Sequence, residues 1–596
     1  MIASLYVASS PPAPSWKHYL FIAAALVSNF SMFYAGAALF IFPLCMIWPR
    51  RGFLTAVTLL VFVSLQILTI IDTSIYRLFK FHINGMVINL FLTEGADDSV
   101  DLGWATWSMA GVVLLAFILF ELWLINKLYR RCQAAPEKPI PWRYWSTVAL
   151  FLLATVIIDK TAYAVSDLYN LREITRYGRL FPFYQPLTIK GFAEEDLGFK
   201  VEREHLTERA SHGSTLNYPK QRPSRTPLPN YPNILMIIID AWRYDMLDPE
   251  ITPHISSFSN DALVFKRHFS GGNSSRFGIF SLLYSLYGSY WHHILNERQS
   301  PVLIDELLDL GYQFKVMSST RLTYPEFRRS AFVRIPEAIE DNITGYRGGE
   351  RDPKLAKGFV EWLKVRDKTR PFFSFLFFDA PHAPYTYPPR FAKFSPAIPA
   401  ANYVTVGQSD MPRLKNAYQN AIYLDDYLTG EILAELKLQG LLQNTIVLIS
   451  GDHGEEFFEH GHYGHTSSFS DKQTKVPLVL YVPNREPGTI DYQTSHLDVV
   501  PTLMELLGYT SPPEQYSQGQ SLLSVSADRP AVSMGWDKGA IIDGQNCIIF
   551  STETYNSGHF EIRDSEYRLV ENEAQVLRSK GNVLAQTARG MGEFLR

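Results

Sequence analysis

Four stretches in the first third of the chain are long and apolar enough to fill a bilayer, and they limit what the rest can be. They run from Tyr19 to Trp48, Phe53 to Ile71, Trp107 to Ile125 and Tyr144 to Ala164. A helix of about 20 apolar residues crosses the ~30 Å hydrocarbon core, and Trp, Tyr or basic residues flank each stretch at interface depth. A cleaved leader would be one short apolar run, so four runs predict a multi-pass anchor. The mean hydropathy of the whole chain is only −0.04, so a polar remainder must balance this membrane part.

The loops orient the anchor. Arg50 and Arg51 separate the first two spans, and Lys127, Arg130, Arg131, Lys138 and Arg143 separate the third and fourth. Basic loops stay in the cytoplasm. The loop with Glu94, Asp97, Asp98 and Asp101 is then outside, as is everything after Ala164. In a Gram-negative cell that side is the periplasm. The same count places the N-terminus outside, which is unusual, and MIASLYVASS reads like the outer end of a helix; a further span ahead of it is expected.

Leaving the last span, LREITRYGRLFPFYQPLTIKGF carries Arg172, Arg176, Arg179 and Lys190 among Phe181, Phe183 and Tyr184. Cationic heads on apolar bodies suit lipid phosphates and acyl chains together; the alternative is a connector lying on the interface. Residues 211–232 are polar and contain five prolines, at 219, 223, 227, 229 and 232, as in an extended linker. The expected division is a transmembrane helical domain over 1–165, an interfacial segment and linker over 166–232, a globular domain over 233–525 and a C-terminal subdomain over 526–596. A net charge of −4 provides no basic field for nucleic acid. Cys45, Cys132 and Cys547 are too scattered for a disulfide framework or a zinc knuckle.

Beyond Asn233, apolar runs alternate with helical patterns. Ile234 to Ile239, Phe314 to Met317, Phe372 to Phe378, Ile446 to Ile449 and Leu478 to Tyr481 read as buried strands. Pro412 to Gln439 and Asp498 to Leu507 read as crossover helices, giving an α/β domain with a doubly wound, mostly parallel sheet. AVSMGWDKGAIIDGQNCIIFSTE predicts a small antiparallel sheet, and the tail after Asn572 a peripheral helix.

Ligand sites in such folds lie at the carboxyl ends of strands, where the chemically marked residues fall. The first strand ends in Asp240, and IVLISGDHGEE delivers Asp452 and His453 side by side. Adjacent Asp and His at a buried strand end need a partner, and carboxylates with an imidazole suit zinc or manganese. In HFSGGNSSRFG, Ser274 and its neighbour Ser275 sit at a helix start, where a hydroxyl can be a nucleophile or merely a cap. His382 in FFDAPHAPY, with His462 and His465 in FEHGHYGHTSS, can ligate a second metal, bind substrate oxygens or protonate a leaving group.

Asp240, SGGNSSR, DAPH, GDHGEE, VPLVLYVP and HLDVVPTLMELLG, in that order, resemble the sulfatase and alkaline-phosphatase superfamily over roughly residues 230 to 525. Sulfatases carry C/S-x-P-S-R, whose first residue becomes formylglycine; here that position is Gly272, and Ala241 stands where a second calcium-binding Asp is usual. The pattern is closer to lipoteichoic acid synthases and phosphoethanolamine transferases. That resemblance implies one divalent metal held by Asp240, Ser274, Asp452 and His453. It makes Ser274 the nucleophile, with His382 and His465 on the substrate side; Ser replaces the more usual Thr.

With ITRYGRLFPFYQP after the last span and YSQGQSLL near Ser517, the whole chain resembles the YejM (PbgA) family of Gram-negative inner-membrane proteins. Members usually have five spans, and they are implicated in outer-membrane lipid and lipopolysaccharide balance. Some lack the metal ligands, which this chain retains. The resemblance implies a periplasmic hydrolase or phosphotransferase acting on phospholipid or lipid A headgroups. The rival reading is a non-catalytic lipid A sensor that contacts a regulatory inner-membrane protein; the third is a sulfatase.

Overall fold

The computed structural model describes residues 2–10, 12–93, 103–134, 141–169, 171–189, 192–193, 215–398, 401–525, 527–552, 560–570 and 572–596. The loop acids Glu94, Asp97, Asp98 and Asp101, together with Lys138 and Lys190, lie outside these residues, as does the side chain of Arg172. The chain forms two compact units. One comprises 1–85, 102–203 and 402–405; the other comprises 86–101, 204–401 and 406–596.

The first unit contains four helices long and apolar enough to cross a membrane: Trp16–Ile47, Arg51–Phe79, Gly103–Ala134 and Trp142–Leu168. The last three extend a turn or more beyond their apolar runs, because the flanking polar residues add helix length at little cost outside hydrocarbon, while the first nearly coincides with its run. Trp16–Ile47 packs on Trp142–Leu168, and Arg51–Phe79 on Gly103–Ala134. Polar groups join the second pair, with Gln66 Nε2 donating to Glu121 Oε1 (2.5 Å) and Arg51 Nη2 to Asn126 Oδ1 (2.8 Å).

The second unit is built on eight strands: β1 (Asn233–Ile239), β2 (Leu263–Phe269), β3 (Gln313–Ser318), β4 (Ile339–Glu340), β5 (Phe372–Phe378), β6 (Thr445–Gly451), β9 (Leu478–Tyr481) and β10 (Gly488–Ser495). A separate two-stranded ribbon comprises β7 (Glu456–Phe457) and β8 (Tyr463–Gly464). The sheet order is β10-β2-β9-β6-β1-β5-β3-β4. All neighbours are parallel except β9, which runs against β2 and β6. β1, β5 and β6 are buried along their whole length, as continuous apolar runs must be when both faces of a sheet are covered. Helices at Ser275–Tyr284, Arg347–Val365, Met411–Leu438 and Val499–Leu506 belong to the same unit. A four-stranded antiparallel sheet, β11 (Ala531–Met534) to β12 (Lys538–Ile542), β13 (Asn546–Ser551) and β14 (Phe560–Asp564), follows. Two short helices, Glu573–Ser579 and Gly581–Gly590, close the chain.

Candidate metal centre

Three parallel strands end in register. Ile239 pairs with Gly451 on β6 and with Phe378 on β5, so the next residues, Asp452, Asp240 and Asp379, emerge side by side at the carboxyl edge. One ligand atom each from Asp240, Asp452 and His453 lies within 4.8 Å of the others, and all three residues are buried. Asp452 Oδ1 accepts from the backbone N–H of Ala241 (3.0 Å) and His453 (2.8 Å), which turns Oδ2 inward. Nδ1 of His453 donates to the Gly454 carbonyl (2.9 Å), leaving the Nε2 lone pair 3.6 Å from Asp240 Oδ1 and 3.4 Å from Asp452 Oδ2.

Asp240 Oδ1 and Asp452 Oδ2 are buried without a hydrogen-bond partner among the described residues. Burying an unpaired carboxylate is costly. Burial, with Asp452, Asp379 and Glu455 nearby, pushes the Asp240 carboxyl well above the usual range, and burial pushes His453 down. Two orphaned carboxylate oxygens and one imidazole lone pair converging on a point fit a divalent cation with oxygen and nitrogen ligands.

Ser274 and Ser275 part here. Ser274 is the N-cap of the helix Ser275–Tyr284, with extended backbone and no capping bond from its side chain. Ser275 occupies the first helical position, and its Oγ lies 3.1 Å from His453 Nε2. The Ser275 hydroxyl thus reaches the ligand group. The next residue, Arg276, pairs with Glu326 (2.7 Å) beneath the rings of Trp291, Tyr324 and Trp536. Gly272 is sterically compelled, because a Cβ there would overlap Phe277 and the Gly278 amide.

Two further histidines line up beside the ligands, with ring centroids 4.2 Å apart for His453 and His465 and 5.4 Å for His382 and His465. Their Nδ1 atoms are engaged, His465 with Glu455 Oε2 (2.8 Å) and His382 with the Ala383 carbonyl (3.1 Å). Burial pushes His382 down to about 3 and His465 to about 4, so both are neutral at pH 7 and offer lone pairs rather than protons. His462 instead belongs to a turn organised by Glu456, which accepts from its backbone N–H (3.2 Å). Sequence reasoning gave no role to Glu455, which also accepts from Tyr385 (2.7 Å). Its place inside GDHGEE was the available signal.

In the first unit, Arg176 and Arg179 are exposed on the segment after the last span. Polar side chains from three different spans or their ends hold that segment. Asn29 Nδ2 donates to the Pro182 carbonyl (3.0 Å), Tyr184 donates to Asp159 Oδ1 (2.5 Å), and His82 links Asp72 (2.7 Å) to the Arg179 carbonyl (3.0 Å). Phe183 is 71% exposed with φ +53°, a costly backbone for a bulky residue.

Residues 232–509 match the Sulfatase family model, and residues 1–223 match a domain of unknown function, DUF3413. The inner membrane protein YejM of Salmonella typhimurium is 24% identical over 98% of this chain and 93% of its own. An uncharacterized protein of Haemophilus influenzae is 26% identical over 88% of this chain and 82% of its own. Among solved structures, the phosphonate monoester hydrolase of Agrobacterium radiobacter superposes with a TM-score of 0.50 at 17% identity, covering 61% of this chain and 96% of that one. That likeness concerns the fold.

Proposed function

Because the chain belongs to the YejM-like membrane proteins with a sulfatase domain, we propose that it is a metal-dependent phosphoester hydrolase or phosphotransferase acting on envelope lipid headgroups from the periplasmic face of the inner membrane. The observation that carries this reading is the placing of the Ser275 hydroxyl 3.1 Å from the nitrogen that shares a pocket with two orphaned carboxylate oxygens. Asp240, Asp452 and His453 would hold one divalent ion, zinc or manganese, which would supply Lewis acidity at this point. His453 keeps Nε2 aimed at that point through its bond to Gly454. Ser275 gives its proton to solvent water and attacks phosphorus, forming the Ser–O–P bond as the bond to the leaving oxygen breaks and that oxygen takes a proton from water. Water or an acceptor hydroxyl then attacks the same phosphorus, its proton lost as the Ser–O–P bond breaks and Ser275 regains one. His382 and His465, neutral at pH 7, offer ring lone pairs that accept a hydrogen bond from the incoming hydroxyl and so orient it.

Sulfate-ester chemistry through formylglycine is disfavoured on a steric ground. The precursor position is Gly272, and no side chain fits there. Lipid is the favoured substrate class because the same chain carries four candidate spans and the exposed Arg176 and Arg179 beside Phe183. The anchoring of that segment also favours a second reading, a lipid A sensor in which the metal is structural and a regulatory membrane protein is the recipient of the signal.

Two serine variants test the proposal in the zinc-loaded full-length protein, with bis(p-nitrophenyl) phosphate and phospholipid vesicles as substrates. Ser275→Ala should lower turnover by about a thousandfold or more, while Ser274→Ala should stay within about threefold. The reverse order would return the nucleophile to Ser274. Turnover by neither protein nor parent would leave the sensor.

A further inference from the structure

We infer that His496 is a positioning residue that fixes Ser275 against the metal ligands, an inference that rests on the metal and serine reading above. His496 opens the short turn His496–Asp498 after β10 and is completely buried. Its two ring nitrogens face carbonyl oxygens from different parts of the centre, Nδ1 that of Gly278 and Nε2 that of Gly451, each at 3.1 Å. Gly278 lies in the first turn of the serine helix, where its N–H donates to the Ser274 carbonyl (2.8 Å). Gly451 is the last residue of β6, directly before Asp452.

A neutral imidazole carries one N–H, so it donates to one of these carbonyls and rests against the other. Wedged between them, the ring spaces the element that carries the hydroxyl against the element that carries two ligands. Those elements touch, since a Cβ on Gly278 would overlap the Asp452 carbonyl. Ser270 Oγ donates to that same carbonyl (2.5 Å) and accepts from Gly272 N–H (3.1 Å). This pair of bonds holds the loop ahead of the helix, whereas His496 holds the helix itself. The far side of the ring packs against His268, 5.3 Å between centroids, whose Nδ1 is engaged with Thr494. His496 touches neither the ligand atoms nor the serine hydroxyl, so its effect must pass through backbone placement.

The test uses full-length protein in detergent loaded with cobalt(II), whose visible spectrum reports the oxygen and nitrogen ligands around the ion. Four proteins are compared: parent, Ser275→Ala, His496→Phe and His496→Gln, whose amide nitrogen carries two hydrogens. His496→Phe should bind cobalt in equimolar amount yet show the Ser275→Ala spectrum. Its kcat on bis(p-nitrophenyl) phosphate should fall about a hundredfold with KM within about threefold, the size expected of a hydroxyl misplaced by an ångström. His496→Gln should restore the parent spectrum. The inference is overturned if His496→Phe keeps the parent spectrum, or if His496→Gln melts with the parent but has lost that spectrum. If His496→Phe fails to fold, the Gln variant decides alone. A parent that takes no cobalt, or a Ser275→Ala protein with an unaltered spectrum, would overturn the metal and serine reading itself.

Discussion

Asp452→Asn separates metal binding from folding more cleanly than any other change at the centre. It preserves the Oδ1 acceptor that receives Ala241 and His453 N–H and removes the charge on the orphaned Oδ2. Asp240 and Asp452 present ligand atoms within 4.8 Å. Two unit charges at that spacing repel by about 3.5 kcal/mol at an effective dielectric of ~20. With about 2.1 cal/mol/K of unfolding entropy per residue over roughly 360 residues, that is about 4–5 °C in the melting temperature. It is a ceiling, because Asp240 is pushed to bind a proton and so relieves part of the repulsion. Without metal, the Asn protein should therefore melt above the parent. With zinc at a thousandfold over Kd the parent gains about 4 kcal/mol, which the Asn protein lacks, so the order inverts. Calorimetry in chelator and in zinc reads both arms. The reasoning fails if the Asn protein melts below the parent in chelator, or if zinc raises both equally.

Asp352 and Asp425 are fully buried carboxylates that face each other behind the centre, Asp352 pushed up to about 6 by burial and Asp425 well above its usual value. The folded state keeps protons that the unfolded chain releases, so stability falls as pH rises above the ordinary aspartate range, through about 6 for Asp352 and further for Asp425. Asp425→Asn should flatten that fall, read from melting at pH 5 and 8. Cys132 is exposed near the end of the third span, while Cys547 is buried. A membrane-impermeant maleimide should label Cys132 only after the inner membrane is opened; labelling in cells with a permeable outer membrane alone would reverse the proposed topology.

The strands that build the centre were legible because parallel strands covered on both faces are unbroken apolar runs, and the residue after each run must emerge at the sheet edge. Asp240 and Asp452 follow from that alone. β10, GTIDYQTS, escaped because it is an edge strand exposed over much of its length, and β2, LVFKRHF, because Lys266 and Arg267 interrupt it. The run Leu478 to Tyr481 was legible as a strand, but four apolar residues carry no record of direction, and β9 is antiparallel. Cap chemistry places Ser274 at the helix start, yet which of two adjacent hydroxyls meets His453 depends on helical phase relative to a strand about 180 residues away, which no local pattern encodes. His496 leaves no mark in the sequence either, because its two neighbours are backbone carbonyls.

The small antiparallel sheet is part of the centre rather than an appendage. Met534, ending β11, accepts from Asn273 N–H (3.2 Å) and donates to the Gly271 carbonyl (2.8 Å), so the loop before Ser274 is paired as though it were a further strand. On its other side, side chains at Gly271 and Gly272 would overlap Ser281 and Phe277 of the helix that the loop begins. A loop pressed between a sheet and its own helix has little room to move, and the Asn273 carbonyl also accepts from Thr466 N–H (2.8 Å), next to His465. The serine, the strand-end ligands and the histidine ribbon are thus held by backbone bonds from three directions. Such preorganisation is what in-line attack demands, since geometry fixed before substrate arrives need not be paid for at the moment of reaction.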